Sequence, residues 1–248
     1  MALLSVGEAA MVIGASGGIG SAVLRGYLQD PRFTHVIAVS RAPCPDDTAY
    51  HDDRLHWICS DYSEQSIASV TNILGESGIE LRDIVICNGI LHSAQLQPEK
   101  SLEKVHAESM AKVFEANVTV PALWVSMLVG QLRRSTGCTI GVLSARVGSI
   151  SDNYLGGWYS YRSAKAALNM FLKTAAIEYG RRAPRVKLVA FHPGTTNTAL
   201  SKPFQKSVPP EKLFTPEFVA ARFITLLSEL EPDGELSFLD WDGKTIPW

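Results

Sequence analysis

The chain has 248 residues, a length that suits one large α/β unit or two smaller domains. Apolar residues make up 46%, enough for a sizeable core, and 23 Lys and Arg against 25 Asp and Glu leave a formal net charge of -2. That balance excludes a general nucleic-acid-binding surface, although not a local basic pocket.

The four cysteines, at 44, 59, 87 and 138, have no CxxC spacing and do not suit a small disulfide scaffold or a metal site. No uninterrupted apolar run reaches about 18 residues, so no membrane span is expected. The N-terminus lacks a basic region and runs straight into a glycine motif, which predicts no signal peptide and a cytoplasmic protein.

Ala9 to Ile13 is a short continuous apolar run ending at glycine, as a buried parallel strand should be. A helix over 18–29 stops before Pro31, a second strand covers Val36 to Val39, and the Pro- and Asp-bearing stretch from Ser40 to Asp53 reads as a loop. Leu55 to Cys59 is a third strand, and apolar positions 67, 70, 73 and 74 place a helix over 63–77. Ile84 to Cys87 is a fourth strand, followed by a loop through Pro98 and by one or two helices over 101–134. Thr139 to Leu143 is a fifth strand. A helix over 160–179 follows, with Gly180 as its C-cap, and then a sixth strand, Val186 to Phe191. A weakly periodic Pro- and Lys-rich segment, 199–214, precedes a helix over 216–230 and a strand over 235–239. Strands alternating with helices predict an α/β, Rossmann-type, three-layer fold. Its central sheet has seven mostly parallel strands, in one domain spanning 1–248, and no repeat or linker interrupts it.

The first strand runs into Gly14-Ala15-Ser16-Gly17-Gly18-Ile19-Gly20 and then a helix. A helix N-terminus offers unpaired N–H groups and partial positive charge to a pyrophosphate. Gly14 allows a sharp turn, Gly18 lets backbone approach phosphate, and Gly20 allows close helix–strand contact; Ser16, Gly17 and Ile19 complete the loop. The spacing is GxxxGxG rather than GxGxxG, and a purely structural tight turn is the competing reading. At the end of the second strand, where a dinucleotide site usually has an acid, stands Arg41. A guanidinium suits a 2′-phosphate, which favours NADP over NAD; a solvated loop arginine is the alternative. Asp61, after the third strand, is placed to accept from the adenine amino group.

Tyr161 and Lys165 are i and i+4 on the later helix and share one face. A neighbouring ammonium favours the phenolate and brings the phenol toward useful acid–base chemistry. Tyr159 competes as the phenol, but its i+4 partner, Ser163, carries no charge.

The glycine turn and the Tyr-x-x-x-Lys pair together resemble the short-chain dehydrogenase/reductase family over essentially the whole chain. Segments 148–153, 159–169 and 240–244 look most like the small bacterial carbonyl reductases related to the C-factor. The resemblance implies that Gly14, Gly18 and Gly20 hold the cofactor, and that Asn88, with Gly89 after it, steadies the sheet beside the adenosine. It implies that Asn117 holds a water on a proton path, that Tyr161 and Lys165 are catalytic, and that Pro193, Gly194 and Thr198 hold the nicotinamide carboxamide. Ile13 and Cys87-Asn88-Gly89-Ile90 depart from the family's usual residues without removing Asn88. The serine departs more. Aligned on Gly148, Ala145 occupies the usual catalytic-serine position and Ser144 lies one residue early. One residue along a strand flips the side chain to the other face. Ser144 is the favoured substitute, Ser149 a weaker one, and another donor remains open.

The implied reaction is reversible hydride transfer between NADP(H) and a small or medium carbonyl or alcohol, with no metal. Tyr154, Trp158, Leu91, His92 and Phe204 are candidate pocket residues, and 199–214 a candidate lid. His192 reads as a packed histidine at a strand end. Surplus apolar positions on the helices around 109–134 and 160–179, including Leu123, Val125, Met127, Leu128, Leu168, Met170, Phe171 and Leu172, suggest a homodimer or homotetramer; a larger internal core is the alternative. The competing function is a catalytically weak NADP-binding signalling or regulatory protein of the same fold.

Overall fold

The protein is described from a computed structural model over residues 7–248. The part of the signal-peptide expectation that concerns residues 1–6 lies outside the described residues. Seven strands form one sheet: β1 (Glu8–Ile13), β2 (His35–Ser40), β3 (Leu55–Cys59), β4 (Glu80–Ile86), β5 (Cys138–Leu143), β6 (Val186–His192) and β9 (Leu236–Asp240). Their order is β3-β2-β1-β4-β5-β6-β9, and every pairing is parallel. The order reverses between β1 and β4, the crevice where open α/β sheets bind ligands.

Alternation along each strand divides the core into two layers. Met11, Ile37, Ile140 and Leu188 face α2 (Glu64–Ser77), α4 (Val120–Leu132) and α5 (Tyr159–Arg182), meeting Leu74, Trp124, Leu128, Leu168 and Leu172. Ala10, Val12, Val36 and Phe191 face α1 (Gly18–Leu28) and α6 (Pro216–Glu229), meeting Val23, Tyr27 and Phe223. Phe191 stacks on Phe223 with ring centroids 4.0 Å apart.

Several elements differ from the sequence reading. β4 begins at Glu80 rather than Ile84, because its polar start is held by ion pairs from Arg82 to Glu8 and Glu80. The 101–134 stretch is a short 3₁₀ turn, Leu102–Lys104, and then one continuous helix: α3 (Ala107–Phe114), a π segment Glu115–Thr119, and α4. Pro121 supplies the reason. It has no N–H for the carbonyl four residues back, that of Asn117, and the ladder widens there, with Val120 N–H donating to Glu115 O. The helix from Ala107 to Leu132, at 26 residues, is the one among the described residues long and apolar enough to cross a membrane by length and composition. Its Trp124, Val125, Leu128 and Leu132 are buried against the sheet.

Gly180 does not cap α5, which runs on to Arg182. It is small because a Cβ there would lie 3.1 Å from Gly234 Cα, so two backbones touch. Segment 199–214 holds two 3₁₀ turns, Lys202–Ser207 and Pro210–Lys212, and is tied down where β8 (Leu213–Phe214) pairs with β7 (Thr195–Thr196).

Candidate active site

The carboxyl ends of β1, β4, β5 and β6 converge on a cavity of about 830 Å³. At β1 the chain turns through Gly14 at φ +82°, a left-handed conformation natural to glycine, and the N–H groups of Gly14 and Ala15 both donate to Val39 O. A Cβ on Gly20 would collide with the Gly14 carbonyl, and one on Gly18 would come 2.6 Å from Thr198 Cγ2. Gly17 caps α1 without a side-chain hydrogen bond, and no acid stands in the first turn, leaving the helix dipole open toward the cavity.

Ser40 at the end of β2 links this turn to Arg41: Ser40 Oγ donates to Ser16 Oγ at 2.7 Å and accepts from Ala42 N at 3.1 Å. Arg41 is exposed and has no ion-pair partner among the described residues. Asp61 is also exposed. Its carboxylate accepts from Ser63 N at 2.9 Å, and the Ser63 hydrogen bonds hold its carboxyl below the usual range. Arg41, Asp61 and Asn117 stand outside the cavity lining, whereas Gly17, Asn88, Gly89, Pro193, Gly194 and Thr198 line it.

Asn88 Oδ1 is buried with no hydrogen-bond partner. Asn117, in the π segment, is fully buried. Its Nδ2 donates to Ile90 O at 2.8 Å and Val113 O at 2.9 Å, and its Oδ1 accepts from Ile90 N. It therefore fixes the chain just past Asn88 and Gly89.

Tyr161 and Lys165 rise from the first two turns of α5, 9% and 2% exposed. Lys165 Nζ donates to Leu143 O at 2.8 Å and lies 5.8 Å from the centroid of the Tyr161 ring. The expected lowering of the phenol by its lysine is not what the structure shows. Burial pushes the Tyr161 phenol above its ordinary value, and burial brings the Lys165 ammonium down to about 7. Desolvation disfavours the charged form of each, and the ammonium is bonded to a β5 carbonyl.

Ser144 lies in the cavity wall, but its hydroxyl donates to Asn169 Oδ1 at 2.6 Å and it is 4% exposed. The favoured substitute for the usual serine thus has its hydroxyl bonded to α5 rather than free toward the cavity, contrary to the sequence expectation. Ser149 is no substitute: it is 1% exposed and its Oγ accepts from Asp152 N in the following turn. His192 lines the cavity with Nδ1 buried and unpartnered, and burial with the nearby Arg146 charge brings its imidazole down to about 4, so it is neutral at pH 7.

Leu91, Trp158 and Phe204 line the cavity as expected, and His92 stacks edge-on to Phe204 at 5.7 Å. Tyr154 does not; it is 86% exposed. Sequence reasoning missed Glu99. It is 4% exposed and reaches the start of α5, where Oε2 accepts from Ser160 N at 3.2 Å and Oε1 from Ser160 Oγ. A glutamate after a proline in a loop carries no local signal of a contact 61 residues away.

The profile of the short chain dehydrogenase family matches residues 8–209. The 1-hydroxy-2-glutathionyl-2-methyl-3-butene dehydrogenase of Rhodococcus sp. (strain AD45) is 28% identical over 186 residues, 75% of this chain and 76% of that protein. The C-signal protein of Myxococcus xanthus is 27% identical over 148 residues, 60% of this chain and 84% of that protein. An NADPH-bound carbonyl reductase from chicken fatty liver superposes with a TM-score of 0.81 at 24% identity, covering 99% of this chain and 100% of the other. The chain belongs to the short chain dehydrogenase family and is an oxidoreductase of that class.

Proposed function

We propose that the protein is an NADP(H)-dependent oxidoreductase that interconverts a small or medium carbonyl compound and its alcohol. One observation carries this reading: a single cavity joins the glycine turn, the Pro193-Gly194 segment and the Tyr161–Lys165 pair. The residues fit a dinucleotide. The uncapped N-terminus of α1 suits a pyrophosphate, Asn88 Oδ1 is a buried acceptor in want of a donor, and unpaired Arg41, joined to Ser16 through Ser40, suits a 2′-phosphate. Pro193, Gly194 and Thr198 are the residues to hold the nicotinamide end, and Asp61 lies on the adenosine side. When bound, the dinucleotide supplies or accepts the hydride.

The chain's own part is the proton and the oxygen. A phenol raised above its ordinary value stays protonated at neutral pH, so Tyr161 is a hydrogen-bond donor and general acid for the alkoxide that develops in reduction. Burial brings the Lys165 ammonium down to about 7, and its bond to the Leu143 carbonyl holds it beside the Tyr161 face. Asn117 holds the Ile90 backbone beside it. Ser144 orients Asn169 rather than the substrate oxygen. Trp158 and Phe204 give the cavity an apolar wall beside the Tyr161 phenol.

NADPH oxidation against a panel of aldehydes, ketones and quinones tests this. Turnover is expected and should fall about 10²–10⁴-fold in Tyr161→Phe, with NADPH binding retained. Tight NADPH binding with no turnover across the panel supports the competing reading, a regulatory NADP-binding protein, which the Ala145 substitution and the engaged Ser144 hydroxyl favour.

Segments 148–153 and 240–244 support kinship with the bacterial C-factor-like carbonyl reductases. Met170 and Ile177, 68% and 44% exposed on α5, support a homodimer or homotetramer joined through that helix. Val125, Leu128, Leu168 and Leu172 belong instead to the internal core. The free thiols of Cys44 and Cys59, both exposed, support a reducing, cytoplasmic setting.

A further inference from the structure

The segment after β2 doubles back over β3, the edge strand of the sheet. Ser40, the last residue of β2, pairs with Cys59, the last of β3. Trp57 and Cys59 are two residues apart on β3, so their side chains leave the same face. Both reach one carbonyl: Trp57 Nε1 donates to Ala42 O at 3.0 Å and Cys59 Sγ to the same oxygen at 3.8 Å. Further along, the Tyr50 ring meets Trp57 edge-on at 5.9 Å. The segment 42–50 therefore runs across the face from which the Cys59 thiol projects.

Cys44 stands two residues beyond Ala42, and its thiol and that of Cys59 are both free and exposed. Two residues of chain span at most about 7 Å, which keeps Cys44 near the sulfur that touches Ala42. The proximity has an electrostatic mark: burial, and after it the charge of Cys59, push the Cys44 thiol up. The segment is free to adjust. Residues 41–49 are exposed, Pro43 and Pro45 have no N–H, and among the described residues no hydrogen bond holds Cys44. A disulfide needs Cα atoms about 4.4–6.8 Å apart, a separation that an unheld turn beside Cys59 can reach. The other thiols do not compete: Cys138 is buried at the start of β5, and Cys87 lines the cavity.

We propose that Cys44 and Cys59 are a reversible modification site, closed to an intramolecular disulfide by a small disulfide oxidant such as glutathione disulfide. The chemistry is thiol–disulfide exchange. One protein thiolate attacks a sulfur of the oxidant, whose S–S bond breaks and releases one glutathione thiolate. The second protein thiolate attacks the mixed disulfide, forms the Cys44–Cys59 bond and releases the second glutathione. Two protein thiols are oxidised, one disulfide is reduced, and the two thiol protons pass to the released glutathione thiolates. Excess glutathione runs the steps backward, so the thiols are free in a reducing setting and bridged in an oxidising one. The bridge closes a loop of 15 residues and straps the turn that follows Arg41 to β3. It forms whatever the cavity binds.

The test treats the whole protein with glutathione disulfide at about pH 8, where thiolates form, then blocks the remaining thiols with iodoacetamide. Intact mass and non-reduced peptide maps read the result. The wild-type protein should lose both thiols together and yield a peptide pair joined at Cys44 and Cys59, and dithiothreitol should restore both. Cys44→Ser and Cys59→Ser should each stop at a glutathione adduct on the remaining cysteine. Thermal melts of the reduced forms report whether the variants are folded. The bridged protein should melt about 5–10 °C above its reduced form, and the oxidant should raise neither variant. Four results overturn the proposal: both thiols left free, glutathione on both cysteines without a bridge, a link that joins two copies on a non-reducing gel, or a bridged protein that melts within about 2 °C of the reduced one.

Discussion

Glu99 is the long-range cap of α5, and its removal has a calculable effect. Its carboxylate takes both the N–H and the hydroxyl of Ser160, which is 1% exposed and precedes Tyr161. In Glu99→Ala two buried donors at a helix N-terminus lose their acceptor. An unpaired buried donor costs about 1–3 kcal/mol. With partial relaxation the sum is about 3 kcal/mol. For a chain of this size 1 kcal/mol moves the melting temperature by about 2–4 °C, so a fall of about 6–12 °C is expected. Glu99→Gln keeps an acceptor and should lose only about 1 kcal/mol. The Trp158 N–H bond goes to the Glu99 backbone carbonyl and survives both changes. Thermal melts followed by circular dichroism measure the shift. A drop in kcat should accompany it in Glu99→Ala, because Tyr161 sits in the turn that loses its anchor and small misplacements of a catalytic group are costly. The reasoning is refuted if Glu99→Ala melts within about 2 °C of the wild-type protein, or if Gln is as damaging as Ala.

Arg41→Ala should weaken NADPH binding by about 10- to 100-fold, the worth of a charge-assisted phosphate contact, while leaving NADH within about threefold; fluorescence titration of both reads it directly. Ser144→Ala removes the donor to Asn169, whose Nδ2 already lacks a partner, so a stability loss of about 1–2 kcal/mol with less than a tenfold fall in kcat is expected. A fall of a thousandfold would instead make Ser144 an oxyanion donor. Lys165, brought from 10.5 down to about 7 by burial, binds fewer protons in the folded chain than in the unfolded one between those values. Its contribution to stability therefore rises with pH across that window, and urea unfolding of Lys165→Met between pH 7 and 9.5 should show a flatter profile than the wild-type protein.

Much of the layered fold was legible in the sequence because it depends on local patterns. The continuous apolar runs at Ala9–Ile13, Val36–Val39 and Val186–Phe191 bury on both faces whatever surrounds them, and each is a strand of the parallel sheet. Gly14 and Gly20 were readable because a tight turn between strand and helix admits no side chain there. The spacing of Tyr161 and Lys165 put both on one face of α5 from helical geometry alone.

What tertiary structure decided was direction and environment. The sequence singles out Ser144 as a donor, but only packing against α5 shows its hydroxyl bonded to Asn169. The i+4 rule predicted a lysine acting on a tyrosine, yet the depth of burial raises the phenol and lowers the ammonium, because desolvation depends on every neighbour and not on spacing. Glu99 at the start of α5, Trp158 in a left-handed conformation and the Gly180–Gly234 contact all join segments far apart in the chain. Sequence periodicity reports which face of an element is apolar. It carries no record of which distant group will meet that face, and in this protein those meetings place α5 and shape the wall beside the Tyr161 phenol.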